Sequence, residues 1–259
     1  MVEQIVSRKL AESSCPVSVD LAVFTLAGRE LSVLLRERTE SPYPGFWALP
    51  GDLRCPGTSL DTQARALQTG ITGVEGGWIE QLKTFHRPQQ TDSAGRVVVP
   101  GRDPRGDVLS VAYIAIVPAA LAEACAGVKQ SISPLLPASS RNGAEQSWHP
   151  VRRLPVEMAF DHREIVDYAV RRLRSKVGYS SVGFQLLPSE FTISELQHVY
   201  EAVLGLSINR GNFWRRVVDR GVIEPTGQER SVRGKRAYLF RFTQQAFGLR
   251  EEPDGFIEA

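Results

Sequence analysis

Cysteine is scarce in this chain. Cys15, Cys55 and Cys125 are the three thiols in 259 residues, an odd number at spacings that form neither a disulfide framework nor a C-x-x-C metal knuckle. Used this sparingly they read as reduced thiols, and a cytoplasmic location is expected because stable disulfides are rare there. Long apolar runs are missing as well, with no stretch approaching the roughly 18 to 20 residues that a membrane span needs. The N-terminal segment carries Glu3, Arg8, Lys9 and Glu12 and lacks the apolar centre of a secretory leader. His86, His149, His162 and His198 show no ligand spacing with acids or cysteines, so neither a metal nor a cofactor is expected. No internal repeat is found.

An apolar fraction of 42% and a charged fraction of 23% are those of a globular protein with room for two ordinary domains. The first half reads as strands with irregular connections. Residues 17–26 alternate β-branched and apolar side chains, residues 27–30 turn, and residues 31–38 follow as the second arm of a hairpin. Residues 109–117 are apolar at nearly every position, which suits a strand buried on both faces. Leu60, Ala64 and Leu67 recur at helical spacing and predict a short amphipathic helix over 58–69. Pro88 to Gly106 is rich in Pro, Gly, Gln and Arg and is expected to be a long exposed loop, and Ser131 to Ser147 a second loose stretch.

From Asp161 the pattern becomes helical. Ile165, Ala169, Leu173 and Val177 recur every four residues, with Arg171, Arg172, Arg174 and Lys176 on the outer face. Thr192-Ile193-Ser194-Glu195 is a capping box opening a helix that runs to Leu204, turns Leu196, Val199, Tyr200 and Val203 inward and stops at Gly205. A second helix over 209–220 has Phe213, Val217 and Val218 as core positions and ends at Gly221. Two strands, 222–224 and 237–242, joined by a loop from Pro225 to Arg236, complete the order of a winged helix-turn-helix. Between Arg210 and Arg241 nine basic residues face three acids, a positive field that the net charge of +2 conceals. Double-stranded DNA is the partner this field suits, since neutralised phosphates supply most non-specific affinity. Asn209, Arg210, Asn212, Arg215 and Arg216 lie on or beside the second helix, where side chains reach base edges in the major groove. Arg230, Arg233, Lys235 and Arg236 suit a wing lying along the backbone or in the minor groove.

The segment Leu49 to Leu60 resembles the entry of a Nudix box, a pattern of G, five residues, E, seven residues, then R-E-U-x-E-E-x-G-U. Laid from Gly51 to Val74, with one residue more than the pattern between Gly51 and the first Glu position, Gly51, Gly57 and Gly73 fall in place, but Thr58 stands at the first Glu and the R-E-U-x-E-E positions read Ala66-Leu67-Gln68-Thr69-Gly70-Ile71. Nudix hydrolysis needs several carboxylates on one helix face to hold Mg²⁺. Here Asp52 and Asp61 are the only acids in that span, neither on a metal position, so no catalytic residue is assigned and a non-enzyme is expected. The plainer reading of 58–69 is an amphipathic helix of an unrelated α/β domain. Further segments bear on that choice. Asp20-Leu21-Ala22-Val23-Phe24, Phe46 to Gly51, Arg102 to Tyr113, Phe160-Asp161-His162, Phe191 to Glu201, and Asn212-Phe213 with Arg215-Arg216 closely resemble the Nudix-related transcriptional regulators, the NrtR family, over roughly residues 16 to 243. The resemblance implies an α/β Nudix-like domain, a mixed sheet with flanking helices, followed by a winged helix-turn-helix domain. It also implies repression of genes of NAD metabolism with ADP-ribose or related nucleotides as effectors, although some relatives answer to other ligands or control sugar-utilisation genes. This chain departs by an insertion around Gln89 to Val99 and by the completeness of the loss in its box.

On this reading the domains run from 1 to 155 for the Nudix-like effector-binding part, 156 to 185 for a linking helix, 186 to 250 for the winged helix and 251 to 259 for a tail. A nucleotide effector such as ADP-ribose, NAD or ATP needs guanidinium forks for its phosphates, and Arg36, Arg38, Arg102 and Arg105 are the candidates. Phe46 and Trp47 could stack on a base, and Tyr113 is counted with them. Surface salt bridges for the arginines and core roles for Trp47 and Tyr113 are the alternatives. His162 reads as a helix cap or interdomain contact, and Cys55 has no identifiable base. The chain is thus expected to be a ligand-responsive repressor binding an inverted-repeat operator as a homodimer. The competing readings are a Nudix pyrophosphatase with carboxylates recruited from Asp103 or Asp107, and a nucleotide-binding adaptor docking on protein.

Overall fold

The computed structural model describes residues 15–73, 75–125, 145–177, 181–232 and 234–247. The N-terminal segment, Val74 at the end of the box, residues 131–144 of the second loose stretch, Arg233 of the wing, the tail and the side chain of Cys125 lie outside the described residues.

The expected hairpin forms from β1 (Val17–Ala27) and β2 (Glu30–Glu37), antiparallel with Phe24 opposite Val33. Short strands β3 (Trp47–Ala48) and β4 (Gly51–Leu53) lead into α1 (Leu60–Thr72). Next come β5 (Ile79–Phe85), a small ribbon of β6 (Gln90–Thr91) and β7 (Val97–Val99), β8 (Leu109–Ile116), α2 (Ala119–Cys125) and β9 (Gln146–Pro150). Seven of these strands make one mixed sheet ordered β3-β2-β1-β8-β5, with β4 on β1 and β9 on β2. β8 runs parallel to β1, Val17 beside Leu109 and Phe24 beside Ile116, and β5 runs antiparallel to β8.

The two central strands are buried on both faces, and residue parity decides what each face meets. Leu21, Val23, Val111, Tyr113 and Ala115 meet Ala64, Leu67 and Ile71 of α1. Ala22, Phe24, Ala112, Ile114 and Ile116 meet Ile165, Ala169, Leu173 and Val177 of α3 (His162–Val177) on the opposite face. The ends of α1 are set locally: the Ser59 hydroxyl accepts the Thr62 N–H at 3.1 Å, and Gly73 closes the helix at φ 68°. Gly51 has a different reason to be glycine, since a Cβ there would lie 2.2 Å from a carboxylate oxygen of Asp20 and 2.8 Å from the Val19 carbonyl.

After a 3-10 turn (Ser181–Leu186) come α4 (Ile193–Leu204), α5 (Arg210–Asp219), β10 (Ile223–Val232), β11 (Lys235–Phe242) and the short α6 (Gln244–Phe247). The capping box on α4 is complete: Thr192 Oγ1 accepts the Glu195 N–H at 3.2 Å and Glu195 Oε2 accepts the Thr192 N–H at 2.7 Å. Leu196, Val199, Tyr200 and Val203 are all buried, as their spacing predicts. Phe184, Phe191 and Phe242 stack together, and Phe191 exchanges two backbone bonds with Phe240, fastening the wing to the start of α4. The core of the sheet's α3 face continues without a break through Phe184, Tyr200, Phe213 and Val217, so sheet, α3 and winged helix share one apolar interior.

Three expectations need correction. The stretch from Pro88 to Gly106 is not a featureless exposed loop: it holds the β6–β7 ribbon, and Arg102 and Asp103 within it are 4% and 1% exposed. Val218 is 44% exposed rather than a core position, because Phe213 and Val217 alone face α4. The wing loop from Pro225 to Arg236 is instead a long ribbon, paired as far as Val232 opposite Lys235 with a bulge between Pro225 and Glu229.

Thr192→Ala removes the hydroxyl half of the capping box and leaves the backbone N–H of residue 192 to Glu195. We expect a loss of about 1 kcal/mol, read as a lower urea midpoint at unchanged m-value.

Candidate functional site

A polar pocket opens at the edge of the sheet between β1, the β3–β4 segment, residues 102–105 and the turn before α3. Arg36 and Arg38 at the end of β2 form one wall, and Arg105 faces them from the loop before β8. Arg38 is oriented by its own turn, Nε donating to the Pro42 carbonyl at 2.7 Å, and its guanidinium lies 4.8 Å from the centre of the Phe160 ring. Arg105 approaches the same ring at 5.6 Å while Asp103 holds it in a fork at 2.7 and 3.0 Å. A phenyl ring with two guanidinium groups within 4.8 and 5.6 Å of its centre suits a delocalised ring of a ligand, and the arginines beside it suit phosphate oxygens. Burial lowers the pKa of Arg36, and burial together with the nearby Arg105 charge lowers that of Arg38. Each therefore stands to gain from an anion.

Beneath the pocket lies a buried ionic network. Arg102 donates to both oxygens of Asp161 at 2.9 to 3.1 Å and to Asp20 at 3.4 Å. Asp20 also accepts the hydroxyls of Ser18 at 2.9 Å and Ser110 at 2.5 Å. Burial alone would lower the Arg102 pKa, but the bond to Asp161 and the Asp20 charge raise it above its ordinary value. The oxygens of the two carboxylates around this guanidinium are satisfied by hydroxyls and by the guanidinium itself, which burial of such groups requires. His162, the first residue of α3, accepts the Leu49 N–H at Nδ1 (2.9 Å) and presents Nε2 to Asp20 at 3.6 Å. Its buried imidazole is held neutral, since burial outweighs the Asp20 charge and lowers its pKa. Phe160, in front of it, adopts φ 56°, a conformation costly for a bulky side chain. That turn points Phe160 into the pocket, Asp161 at Arg102 and His162 at Leu49 from three consecutive residues.

Of the sequence candidates, the structure brings Arg36, Arg38, Arg102 and Arg105 to this pocket. Arg102 stands there as the buried floor. Trp47 packs edge-on against His149 at 4.5 Å, and Phe46 edge-on against Tyr43 at 5.7 Å. Tyr113 lies on the opposite face of the sheet, its hydroxyl donating to Asp61 at 2.6 Å, and burial with that bond raises its pKa. Asp20, Phe160, Asp161 and His162 were not among the candidates, although all four lie in segments that carry the family resemblance.

The box helix packs on the sheet. Gln63 donates to the Leu53 carbonyl at 2.9 Å and accepts the Cys55 N–H at 2.8 Å, so an amide pins the box loop. Ala64, Leu67 and Ile71 are buried against the sheet, and Cys55 packs at the edge of the same cluster. The acid on the helix is Asp61, already engaged by Tyr113; this donor set does not fit a hard cation that needs several carboxylates. Asp103 is occupied by Arg105, and Asp107 lies beside His86 and Cys15. Spacing along the chain offers no thiol or acid partner for His86, because that grouping is made by strand register.

On the winged helix, Asn209 caps α5, its side chain accepting the Asn212 N–H at 3.1 Å. Arg210, Asn212, Arg215 and Arg216 are exposed along α5, together with Trp214, which is 40% exposed beside Phe240. In the wing Arg230 is forked onto Glu195 at 2.5 and 2.6 Å and Arg236 lies 3.5 Å from Glu229, while Lys235 is exposed at the tip.

A Nudix-fold domain that shares its core with a winged helix is the class of protein this architecture defines. A MutT/nudix family protein from Enterococcus faecalis has the same fold, with a TM-score of 0.62 at 22% identity over 94% of each chain. The family described as the NrtR DNA-binding winged helix domain matches residues 183–242. The ADPR responsive transcriptional repressor NtrR of Acinetobacter baylyi is 30% identical over 236 residues, 89% of this chain and 83% of that one. The structure of Shewanella oneidensis NrtR complexed with a 27mer DNA superimposes with a TM-score of 0.73 at 30% identity, covering 93% of this chain and 99% of that one. The chain belongs to the NrtR family.

Two outcomes follow from the buried network. Arg102→Ala leaves Asp20 and Asp161 buried without their counter-ion and should cost about 3 to 5 kcal/mol. Arg87→Ala, which breaks an exposed pair with Glu164, should cost within about 1 kcal/mol; equal urea midpoints for the two variants would refute the assignment. The folded pKa of His162 lies below its unfolded value of about 6.5, so its contribution is complete above that pH and is lost as the pH falls, when the unfolded chain binds the proton. Wild type should therefore lose stability between about pH 7 and pH 5 more steeply than His162→Gln, which keeps an acceptor for Leu49.

Proposed function

We propose that this protein is a ligand-responsive transcriptional repressor that binds ADP-ribose or a related adenine nucleotide in the pocket of its Nudix-fold domain and DNA through its winged helix. The observation that carries the reading is the shared core, which ties a pocket walled by Arg36, Arg38 and Arg105 to a basic recognition helix. Membership of the NrtR family supports it: one relative is described as ADPR responsive, and another was crystallised with DNA. Arg38 and Arg105 would fork the diphosphate and Phe160 would meet a ring of the ligand. Arg210, Asn212, Arg215 and Arg216 would face the major groove, and Arg230, Arg233, Lys235 and Arg236 would follow the phosphates from the wing. Hydrolysis is not part of the proposal, because the box helix offers Asp61 alone and Tyr113 already binds it. Genes of NAD metabolism are the proposed targets, a homodimer on an inverted repeat the proposed assembly, and the cytoplasm the proposed location. No helix among the described residues is long and apolar enough to cross a membrane.

For a ligand to change DNA affinity it must bind two states unequally. The proposed route is α3, whose first residue His162, with Asp161 just before it, holds the pocket floor and whose apolar face packs against α4. Ligand binding at Phe160 or Arg105 would then tilt the winged helices of a dimer. Crystals of the dimer with and without ADP-ribose should differ in that angle.

The test uses the full-length protein on duplexes selected from a random pool at near-physiological salt. An inverted repeat should be enriched, and ADP-ribose should release it. Arg216→Ala with Lys235→Ala should flatten the salt dependence of binding by about 0.9 in log–log slope for each phosphate no longer neutralised. Arg38→Ala with Arg105→Ala should weaken ADP-ribose about tenfold or more while ligand-free DNA affinity persists. DNA affinity unchanged in the first pair would remove the recognition assignment; effector response unchanged in the second would remove the pocket.

A further inference from the structure

Away from the pocket, three side chains of the metal-ligating kind converge at one end of the sheet. Cys15 lies two residues before β1 begins at Val17, Asp107 two before β8 begins at Leu109, and His86 one after β5 ends at Phe85. Strand register stacks them in a row, because Val17 pairs with Leu109 and Phe85 pairs with Ser110 on adjacent strands. The Leu109 N–H donates to the Pro16 carbonyl at 2.9 Å, which continues the ladder up to Cys15. Cys15 Sγ donates to the main-chain oxygen of Asp107 at 2.9 Å, and His86 Nε2 lies 2.7 Å from Asp107 Oδ1. Thiol sulfur, ring nitrogen and carboxylate oxygen all lie within 4.8 Å of one another, and all three residues are exposed.

We propose that Cys15, His86 and Asp107 form a site for a divalent transition-metal ion of the zinc or cobalt class, with water completing the coordination. The donor set decides the class. A thiolate with an imidazole disfavours magnesium and calcium, which take oxygen ligands, and both are ordinary zinc donors. Bond lengths of about 2.3 Å to sulfur and about 2.0 to 2.1 Å to nitrogen and oxygen place tetrahedral ligands about 3.3 to 3.6 Å apart. The His86–Asp107 separation need widen by only about 0.6 Å to admit the ion on that geometry. Binding releases the Cys15 proton to solvent, leaves the His86 ring proton on Nδ1 instead of Nε2, and replaces two hydrogen bonds with three metal bonds. The site lies apart from the box helix, and its Asp107 follows Arg105 by two residues, so an ion there would also stiffen the loop that carries a pocket arginine.

The test is a titration of untagged full-length protein, kept reduced with a phosphine, with Co²⁺ alone. A thiolate-to-cobalt charge-transfer band should appear in the near ultraviolet and saturate at one ion per chain, and added Zn²⁺ should abolish it. Cys15→Ser should lack the band, His86→Ala should bind at least about tenfold more weakly, and Cys55→Ser should match wild type. A wild-type protein with no thiolate band at saturating Co²⁺, or a band that survives in Cys15→Ser, would overturn the proposal. DNA binding enters none of these readouts, so the site stands or falls independently of the repressor reading.

Discussion

Arg102 is the residue on which the arrangement of the effector domain turns. Its guanidinium is buried where three parts of the chain meet: Asp20 on β1, Asp161 at the head of α3, and the loop that ends in β8. A buried charge without partners would cost several kcal/mol, and a pair buried imperfectly would gain little over apolar packing. The network is therefore better understood as a device for position than as a source of stability. It obliges the loop to dip under the pocket, fixes the first turn of α3 against the sheet, and leaves Arg105 and Arg38 at the rim, where an anion can reach them.

The strained turn at Phe160 makes sense in this setting. Left-handed backbone at a phenylalanine persists only where neighbours over-determine it, and here they do: Asp161 is drawn to Arg102, His162 to Leu49, and the Phe160 ring lies against Arg38 and Tyr43. The pocket and the helix that leads to the winged domain are thus built from adjacent residues. A single helix, α3, runs from that turn into the core it shares with α4.

Much of this is legible in the sequence where a pattern repeats. The four-residue spacing of α3, the inward set on α4 and the Thr192–Glu195 box all report a periodic surface meeting one core, and the folded chain buries those residues. The wing strands are longer than their sequence suggests because residues 229–232 are exposed, so backbone pairing and surface ion pairs hold the ribbon and leave no apolar alternation to read. Arg102 resembles ordinary loop polarity because its partners are 82 and 59 residues away. Tyr113 joins the pocket candidates only while strand parity is ignored: Ser110 bonds to the floor at Asp20, and Tyr113 three residues on must point to the opposite face. The cluster at Cys15 is illegible for the same kind of reason, since register between strands, not spacing along the chain, assembles it.

The unbroken apolar interior from sheet to wing has a bearing on how such a regulator can be taken apart. A boundary drawn near residue 185 cuts through Val182, Phe184, Leu186 and Leu187, all buried in the common core. A winged helix excised there would lose Val182 and Phe184 and expose Phe242, on which Phe184 stacks, while α3 stays with the sheet. A graft that keeps this interior intact therefore has to carry the chain from β1 to β11 together.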